Sequence, residues 1–353
     1  MSQIAQRNPG FNQVKGRIFE IIVKKLLEKN EYKECRPDGE QVDKNGRVRG
    51  RGEWHQIDAL GRWKYTIPFV YPIRLLCEAK CWDYPVDLSV IRNFVGVLKD
   101  ISENYFVEDG QNIDKRMLSK RYTDCGAVFS VSGFTSKAQK YAYAHNIFLV
   151  SYENNPIIDE FKRDINQIAK LVILKKRINK KQLSKWFEDV WDKNYPSYLT
   201  GINIANTDLF KDYLKKLKDT FYSVKTSVVG IATSVYPIHL LSKNEIPEHL
   251  FRDTDEVDFR VTYRTTERGG HYFEIFPSDF PETRFYFTVP EVILSKYRDS
   301  LKRFKMEFLE WIDVPVTLGK IRRILRFKPG LEWLEYINKR KNSKKSQNSV
   351  IWT

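Results

Sequence analysis

The spacing of apolar residues predicts alternating helices and strands over the first 152 positions. Apolar residues recur every three or four positions over residues 10–30, 88–101 and 136–146, which predicts three amphipathic helices. Shorter apolar runs bounded by turn residues predict strands at residues 56–61, 73–80, 126–131 and 147–151. The order helix, strand, strand, helix, strand, helix, strand is typical of an α/β fold in which helices cover a mixed sheet.

The pattern changes after residue 152. Apolar spacing predicts helices over residues 157–174, 180–192 and 208–222, and two closing helices over residues 301–312 and 321–337. Between them, apolar and polar residues alternate over residues 257–266 and 271–276 on either side of the turn sequence ERGG, which predicts a β-hairpin. Residues 285–289 predict a further strand. This half of the chain is therefore predicted to be α+β.

Composition narrows the function classes. The chain has 353 residues, about twice the usual length of one domain, and its 42% hydrophobic residues exclude a disordered protein. Sixty Lys and Arg against 45 Asp and Glu give a net charge of +15, which favours a polyanionic partner such as nucleic acid. No apolar run reaches the roughly 18 to 20 residues of a membrane-spanning helix, and the first residues lack a signal-peptide pattern. We therefore expect a cytoplasmic protein without membrane attachment.

Two acids and a lysine form the candidate chemical site. Asp58 lies in the predicted strand QIDALG, and Glu78 and Lys80 lie at the end of the predicted strand IRLLCEAK, where residues two apart share a face. Two carboxylates and the backbone carbonyl of Ala79 make a hard oxygen site that suits Mg²⁺. Lys80 would then lie beside a metal-bound water and help to activate or orient it for attack on phosphorus.

The Glu-x-Lys pattern by itself is common in a chain with 30% charged residues. Glu31 and Lys33 also match it, as do Glu160 and Lys162, in helical or polar surroundings. Glu78 differs because it ends an apolar strand, with an Asp-bearing strand before it and a helix after it. A surface or edge-strand ion pair remains the alternative.

Five segments between residues 14 and 152 carry a family resemblance, because their motifs occur in a fixed order. They are the helix GRIFEIIVKKLLEKNEY, the strand QIDALG, the strand LLCEAKCW, the helix IRNFVGVL, and the closing stretch GAVFSVSGFTSKAQKYAYAHNIFLV. In this order they resemble the Mrr-like branch of the PD-(D/E)xK restriction-endonuclease superfamily. The resemblance implies a restriction-endonuclease-like core. The sequence differs from the usual pattern of this branch in two places. Many members have Gln where Glu78 stands, and their G-G-x-D approach to the Asp is EWHQID here, which leaves His55 and Gln56 unexplained.

The resemblance also implies an activity and a set of roles. The activity is Mg²⁺-dependent DNA endonuclease activity, with Mn²⁺ as a possible substitute, in restriction or defence. Asp58 and Glu78 would ligate the metal, Lys80 would activate water, and Glu20 on the first helix would be an accessory acid or simply a solvated one. A structure-specific nuclease of repair or recombination and a non-catalytic DNA-binding protein remain the alternatives.

This assignment predicts a domain organisation. We expect a nuclease domain at residues 1–153, a helical linker region at 154–200, an α+β domain for DNA recognition or dimerisation at 201–340, and a basic and polar tail at 341–353. Double-strand cleavage needs two active sites, so a homodimer is expected.

Five further residues are candidates for DNA contact, each with a plainer alternative. Arg49 and Arg51 lie in a glycine-rich loop that could follow a DNA backbone or simply be solvated. Ser132 lies before a predicted helix, where its hydroxyl could bind phosphate or serve in capping. Arg264 and Arg268 lie in the aromatic hairpin, which could instead be an ordinary sheet with a solvated face.

Other chemical motifs are missing from the sequence. There is no nucleophile triad and no G-x-x-x-x-G-K-[ST] loop, so we expect no nucleotide triphosphate site in this chain. The four cysteines are too few for a disulfide framework, and Cys77 and Cys81 lack a second close pair that would complete a zinc site.

Overall fold

The structure is a computed structural model. It describes residues 10–35, 37–38, 41–65, 67–103, 120–176, 178–193, 196–232, 236–246, 249, 256–266, 270–289, 312–318 and 321–329. The chain divides into two compact units, one of Met1–Tyr152 with Ile158–Ser223 and one of Glu153–Ile157 with Val224–Thr353. The predicted linker region thus contributes most of its residues to the first unit. The predicted tail lies outside the described residues.

Six helices are described up to Ser223. They are α1 (Phe11–Lys29), α2 (Leu88–Ser102), α3 (Ser136–Ala144), α4 (Pro156–Leu171), α5 (Lys180–Lys193) and α6 (Thr207–Ser223). The apolar spacing predicted all six within a few residues, because each buries an apolar stripe. Asp87 caps α2 by accepting from the N–H groups of Ser89 and Val90, and Thr135 caps α3 by accepting from Ala138.

A mixed five-stranded sheet is the centre of the first unit. Its strands are β1 (Tyr32–Glu34), β4 (Ala59–Trp63), β5 (Ile73–Lys80), β6 (Thr123–Ser130) and β7 (Ile147–Ser151), in the order β1-β4-β5-β6-β7. β4 pairs antiparallel with both β1 and β5, whereas β5, β6 and β7 run parallel. Short two-stranded sheets join β2 (Arg47–Arg49) to β3 (Trp54–Gln56) and β8 (Val172–Leu174) to β9 (Ile202–Ile204).

Helices cover both faces of this sheet. Leu76 of β5 and Val128 of β6 belong to a buried core cluster that includes Phe94 of α2 and Ala138 of α3. On the other side, the ring of Phe19 in α1 packs edge-on against Tyr152 at 6.3 Å, and Tyr152 contacts Phe129 of β6. The predicted α/β class with a helix-flanked mixed sheet is therefore confirmed.

The second unit is built on seven strands that close into a barrel. They are β10 (Thr226–Ala232), β11 (Tyr236–Ser242), β12 (Glu256–Thr265), β13 (His271–Pro277), β14 (Phe285–Phe287), β15 (Ile312–Leu318) and β16 (Ile321–Pro329). The predicted hairpin is confirmed, since β12 pairs antiparallel with β13 and Arg264 faces Tyr272 in the register. Buried aromatic rings fill this unit, and Phe273 stacks on Phe287 at 5.1 Å.

The predicted helix over residues 321–337 is wrong where the structure describes it. Residues 321–329 form β16, which pairs antiparallel with β15 and parallel with β12. The three- and four-residue apolar spacing there imitates a helix, but long-range pairing in the barrel overrides this local pattern. The predicted helix over 301–312 lies outside the described residues except for Ile312, the first residue of β15.

No helix in the described segments is long and apolar enough to cross a lipid bilayer.

Candidate active site

Asp58 is held between two strands by backbone hydrogen bonds. The sequence predicted one strand over residues 56–61, but β3 ends at Gln56 and β4 begins at Ala59, so Asp58 lies in the break. Its N–H donates to the carbonyl of Cys77 at 3.2 Å. Its Oδ2 accepts a hydrogen bond from the N–H of Ala79 at 3.0 Å, and its side chain is only 2% exposed. The carboxylate is therefore fixed against the end of β5.

Glu78 and Lys80 project from β5 two residues apart, as predicted. The β4 and β5 register pairs Ala59 with Cys77, which brings Asp58 opposite Glu78 at the strand end. The Lys80 ammonium pairs with Oε1 of Glu78, and both side chains are half-buried. The structure thus brings the three predicted residues together, and the predicted ion pair is part of the same cluster.

Glu20 of α1 also belongs to this cluster, because its carboxyl group is hydrogen-bonded to Asp58. It is 7% exposed and pairs with Arg17 one turn earlier in the helix. Burial raises the pKa of Glu20 to about 8, and the nearby Asp58 charge and a hydrogen bond to Asp58 add to the rise. At neutral pH the Glu20 carboxyl is therefore mostly protonated in the metal-free protein.

Lys180 is a site residue that the sequence analysis missed. It is the first residue of α5, and its ammonium pairs with Oδ1 of Asp58 and lies 3.8 Å from Oε1 of Glu20. No local motif marks it, because 122 positions separate it from Asp58. The available signal was two consecutive lysines at the start of a predicted helix, where acids are usually favoured.

Hydrogen bonds fix the start of α5 beside α1. Oδ1 of Asn179 accepts from the N–H of Lys181 at 2.8 Å, which is a capping contact. The side-chain amide of Gln13 in α1 donates to the carbonyl of Ile178 at 3.1 Å.

An open cleft of about 620 Å³ lies beside the start of α5. It is lined by Gln13, Gln56, Ile178, Asn179 and Lys180. Lys180 therefore lines this cleft and also contacts Asp58.

The charges of the cluster influence one another. Burial opposes ionisation of Asp58, but Lys180, Lys80 and the Ala79 N–H outweigh it and hold its pKa below the usual value. Burial and the charge of Asp58 raise the pKa of Glu78. Burial opposes the charge on Lys80, but Glu78 and Asp58 outweigh it and raise its pKa. Lys80 is therefore a stable cation rather than a ready proton acceptor.

The donor set fits a divalent cation. Asp58 and Glu78 offer carboxylate oxygens, Ala79 offers a backbone carbonyl, and hard oxygen donors of this kind suit Mg²⁺. The pairing of two lysine ammonium groups with these carboxylates shows that the cluster attracts positive charge. Within the described segments, no three His, Cys, Asp or Glu side chains form a ready metal site. A Mg²⁺ ion bound by Asp58, Glu78 and the Ala79 carbonyl would complete its coordination with water, because Mg²⁺ usually keeps several water ligands.

His55, which the sequence left unexplained, has a structural contact. Its Nε2 lies 2.6 Å from Oδ2 of Asp100 in α2, and Oδ1 of Asp100 accepts from the N–H of Gly52 at 3.0 Å. Asp100 thus ties the loop before β3 to α2. Gln56 instead lines the cleft beside Lys180.

The candidate DNA-contact residues lie in different settings. Arg49 is in β2, where its N–H donates to the Gln41 carbonyl. Arg51 is exposed, and its Nη1 lies 3.9 Å from a carboxylate oxygen of Glu103. The hydroxyl of Ser132 donates to the carbonyl of Trp82 at 2.6 Å.

The two hairpin arginines belong to the second unit. Arg264 is exposed, and its Nε donates to the buried carboxylate of Glu274 at 3.0 Å. Arg268 lies outside the described residues. DNA contact by either residue stays a prediction.

Comparison with known proteins identifies the N-terminal segment. The family model of the Mrr catalytic domain, described as restriction endonuclease, matches residues 11–154. No curated protein matches the chain. A solved structure of a protein of unknown function, AF1548, matches at 16% identity over 59% of this chain and 95% of its own, but its TM-score of 0.30 is too low to establish a shared fold. Residues 11–154 therefore match a restriction endonuclease family, which is consistent with the resemblance of this segment to the Mrr-like PD-(D/E)xK branch.

Proposed function

We propose that this chain is a metal-dependent endodeoxyribonuclease that hydrolyses phosphodiester bonds of DNA. The observation that carries the proposal is the convergence of Asp58, Glu78 and Lys80 at the ends of two hydrogen-bonded strands. The three residues lie inside the segment that matches the restriction endonuclease family. Fold similarity alone would be a weaker argument, because one fold can serve many functions.

Each residue has a distinct role in this proposal. Asp58, Glu78 and the Ala79 carbonyl hold Mg²⁺, with Mn²⁺ as a substitute. The bound metal supplies Lewis-acid stabilisation of phosphate charge and makes water easier to deprotonate. Lys80 stays protonated beside Glu78 and orients water or offsets charge in the transition state. Glu20 is an accessory acid that keeps a proton next to Asp58.

The charge of the chain supports DNA as the substrate. A net charge of +15 favours phosphate contacts that release counterions from DNA. Arg51 on the loop before β3 and Arg264 on β12 are exposed cations that we assign to backbone contact. The second unit, whose β12–β13 hairpin carries the exposed Arg264, is proposed to recognise DNA or to dimerise.

The first test is incubation of the purified full chain with supercoiled plasmid. Parallel reactions contain Mg²⁺, Mn²⁺ or EDTA, on both methylated and unmethylated DNA. Cleavage that needs the metal supports the proposal, and discrete bands would show sequence specificity. A gel shift without cleavage under every condition contradicts the enzymatic assignment and favours a DNA-binding protein with a nuclease-like domain.

The biological setting follows from the same assignment. A restriction enzyme acts on foreign DNA, so we place this chain in cellular defence and in the cytoplasm. Two sites are needed to cut both strands, so a homodimer is proposed. Light scattering of the purified chain with and without DNA measures the mass of the assembly. A monomer on DNA that still makes double-strand breaks contradicts the dimer.

A further inference from the structure

Lys180 pairs with the central carboxylate of the site although it lies beyond the segment that matches the nuclease family. That segment ends at residue 154, and Lys180 begins α5. Its ammonium pairs with Oδ1 of Asp58, and the other oxygen of Asp58 accepts from Ala79. Both carboxylate oxygens therefore already have donors in the metal-free protein.

The position of Lys180 is locally unfavourable, which indicates that its contact with the site is what stabilises it there. The first turn of α5 contains no acid and begins with two lysines, although the positive end of a helix dipole disfavours cations. Lys180 is only one third exposed. The cost of placing this ammonium at the helix start is offset by the ion pair with Asp58.

Lys181 shows that the pairing is specific to one of the two lysines. Its ammonium points away from the cluster, donating to Oδ1 of Asn45 at 2.6 Å, and its side chain is exposed. Lys180 and Lys181 are therefore neighbouring lysines of one helix turn whose ammonium groups have different partners, Asp58 and Asn45. Of these two lysines, Lys180 is the one that pairs with a predicted metal ligand, Asp58.

From this geometry we infer that Lys180 is a resident cation of the metal-free site, competing with the divalent metal for Asp58. The inference rests on the proposed metal site and concerns how that site is loaded. A metal ion that binds Oδ1 of Asp58 comes close to the ammonium, and the repulsion between the two cations at this buried carboxylate favours displacement of the ammonium. Before metal entry, Lys180 neutralises Asp58 and keeps the cluster assembled. Lys180 is a positioning residue for the empty site rather than a metal ligand.

The test is the affinity of the full-length protein for Mn²⁺, measured by titration calorimetry without DNA. Lys180→Met removes the competing ammonium, Lys180→Arg keeps a cation, and Lys181→Met removes the same charge next to the site. When most molecules are in a competing state, the apparent affinity equals the intrinsic affinity multiplied by the fraction of molecules that is free to bind. We therefore expect Lys180→Met to bind Mn²⁺ on the order of tenfold more tightly than wild type, and the other two variants to stay within about twofold of it.

Thermal unfolding supplies a second readout that does not depend on activity. In EDTA, Lys180→Met should unfold at a lower temperature than wild type, because Asp58 loses its partner. In saturating Mn²⁺ this difference should shrink, because the ammonium no longer pairs with Asp58 in either protein. A difference that is the same in EDTA and in Mn²⁺ would overturn the inference.

The outcomes separate this inference from the proposed function. Equal Mn²⁺ affinity of wild type and Lys180→Met overturns the competition and leaves the metal site intact. Equal tightening in Lys181→Met also overturns it, since the effect would then come from net charge alone. Absence of Mn²⁺ binding in every variant, with the proteins folded, overturns the proposed metal site and the competition with it.

Discussion

The backbone N–H of Ala79 donates a 3.0 Å hydrogen bond to Oδ2 of Asp58. Ala79 lies between Glu78 and Lys80, so this one bond fixes the Asp carboxylate against the strand segment that carries the other two site residues. Asp58 itself lies outside the strands, between the end of β3 at Gln56 and the start of β4 at Ala59. The arrangement of the candidate site therefore depends on strand pairing as well as on the motif residues.

Replacing Lys80 by Gln should reduce DNA cleavage while leaving the fold intact. The variant loses the ammonium next to Glu78, and removal of one charge-stabilising group commonly costs about 10²- to 10³-fold in rate. Single-turnover cleavage of plasmid in Mg²⁺ measures this change. Lys120→Gln is the matched control, since Lys120 is an exposed lysine paired at 3.4 Å with Asp38. Equal rates for Lys80→Gln and wild type would refute the role of Lys80.

Replacing Glu20 by Gln should change how stability depends on pH in EDTA. The folded protein holds the Glu20 proton up to about pH 8, whereas the unfolded chain releases it near the ordinary pKa of 4.5. The stability from this protonated carboxyl is complete below about 4.5 and is lost as the pH rises to about 8. The stability of Glu20→Gln relative to wild type should therefore rise across that window and level off above it.

Urea unfolding at several pH values measures this difference. Glu188→Gln is the control, because Glu188 is a more exposed acid that pairs with Lys24 of α1. A constant difference between Glu20→Gln and wild type from pH 4.5 to 8 would mean that Glu20 is already ionised in the folded protein.

Replacing Arg74 by Met should strongly destabilise the first unit. Arg74 on β5 pairs with Asp124 on β6 through two bonds of 2.6 and 2.9 Å, and the two side chains are 0% and 1% exposed. Removing one partner of a buried pair leaves an uncompensated charge and costs about 3 to 5 kcal/mol. Lys215→Met breaks an exposed pair with Asp219 and should cost about 1 kcal/mol or less. Chemical denaturation gives both values, and similar small losses would contradict the expectation.

Replacing Arg51 by Gln should weaken DNA binding in a salt-dependent manner. Arg51 is exposed on the loop before β3, and each phosphate contact contributes about 0.9 to the slope of log affinity against log salt. The variant should bind DNA less tightly and show a slope smaller by about that amount. Fluorescence anisotropy in EDTA at several salt concentrations gives the slope, with Lys215→Gln as the control. An unchanged slope would remove Arg51 from the DNA interface.

Local pattern was sufficient to predict the strand that carries the site. Residues 73–80 were predicted as a strand and form β5 over Ile73–Lys80, so the shared direction of Glu78 and Lys80 follows from strand alternation. The first helix was predicted in the same way, and it places Glu20 beside Asp58. Elements of this kind can be predicted from the sequence because their apolar spacing is regular and their motifs occur in a known order.

Contacts between distant parts of the chain were not predictable from local pattern. Lys180 reaches Asp58 across 122 positions, and neither residue's neighbours in the chain indicate the other. The segment 321–329 has helical spacing but forms β16, because pairing with β12 and β15 closes the barrel. In both cases tertiary contacts decide the structure, and these depend on residues far away in the sequence.

The most direct test of the central claim compares Asp58→Asn with wild type in plasmid cleavage. Asn keeps the shape of Asp and an oxygen that can accept from the Ala79 N–H, but it removes the charge that would hold a metal. We predict that Asp58→Asn loses Mg²⁺-dependent cleavage while its DNA affinity in EDTA and its folding are retained, and that Asp219→Asn cleaves like wild type. Cleavage by Asp58→Asn at the wild-type rate would contradict the assignment of this cluster as the nuclease active site.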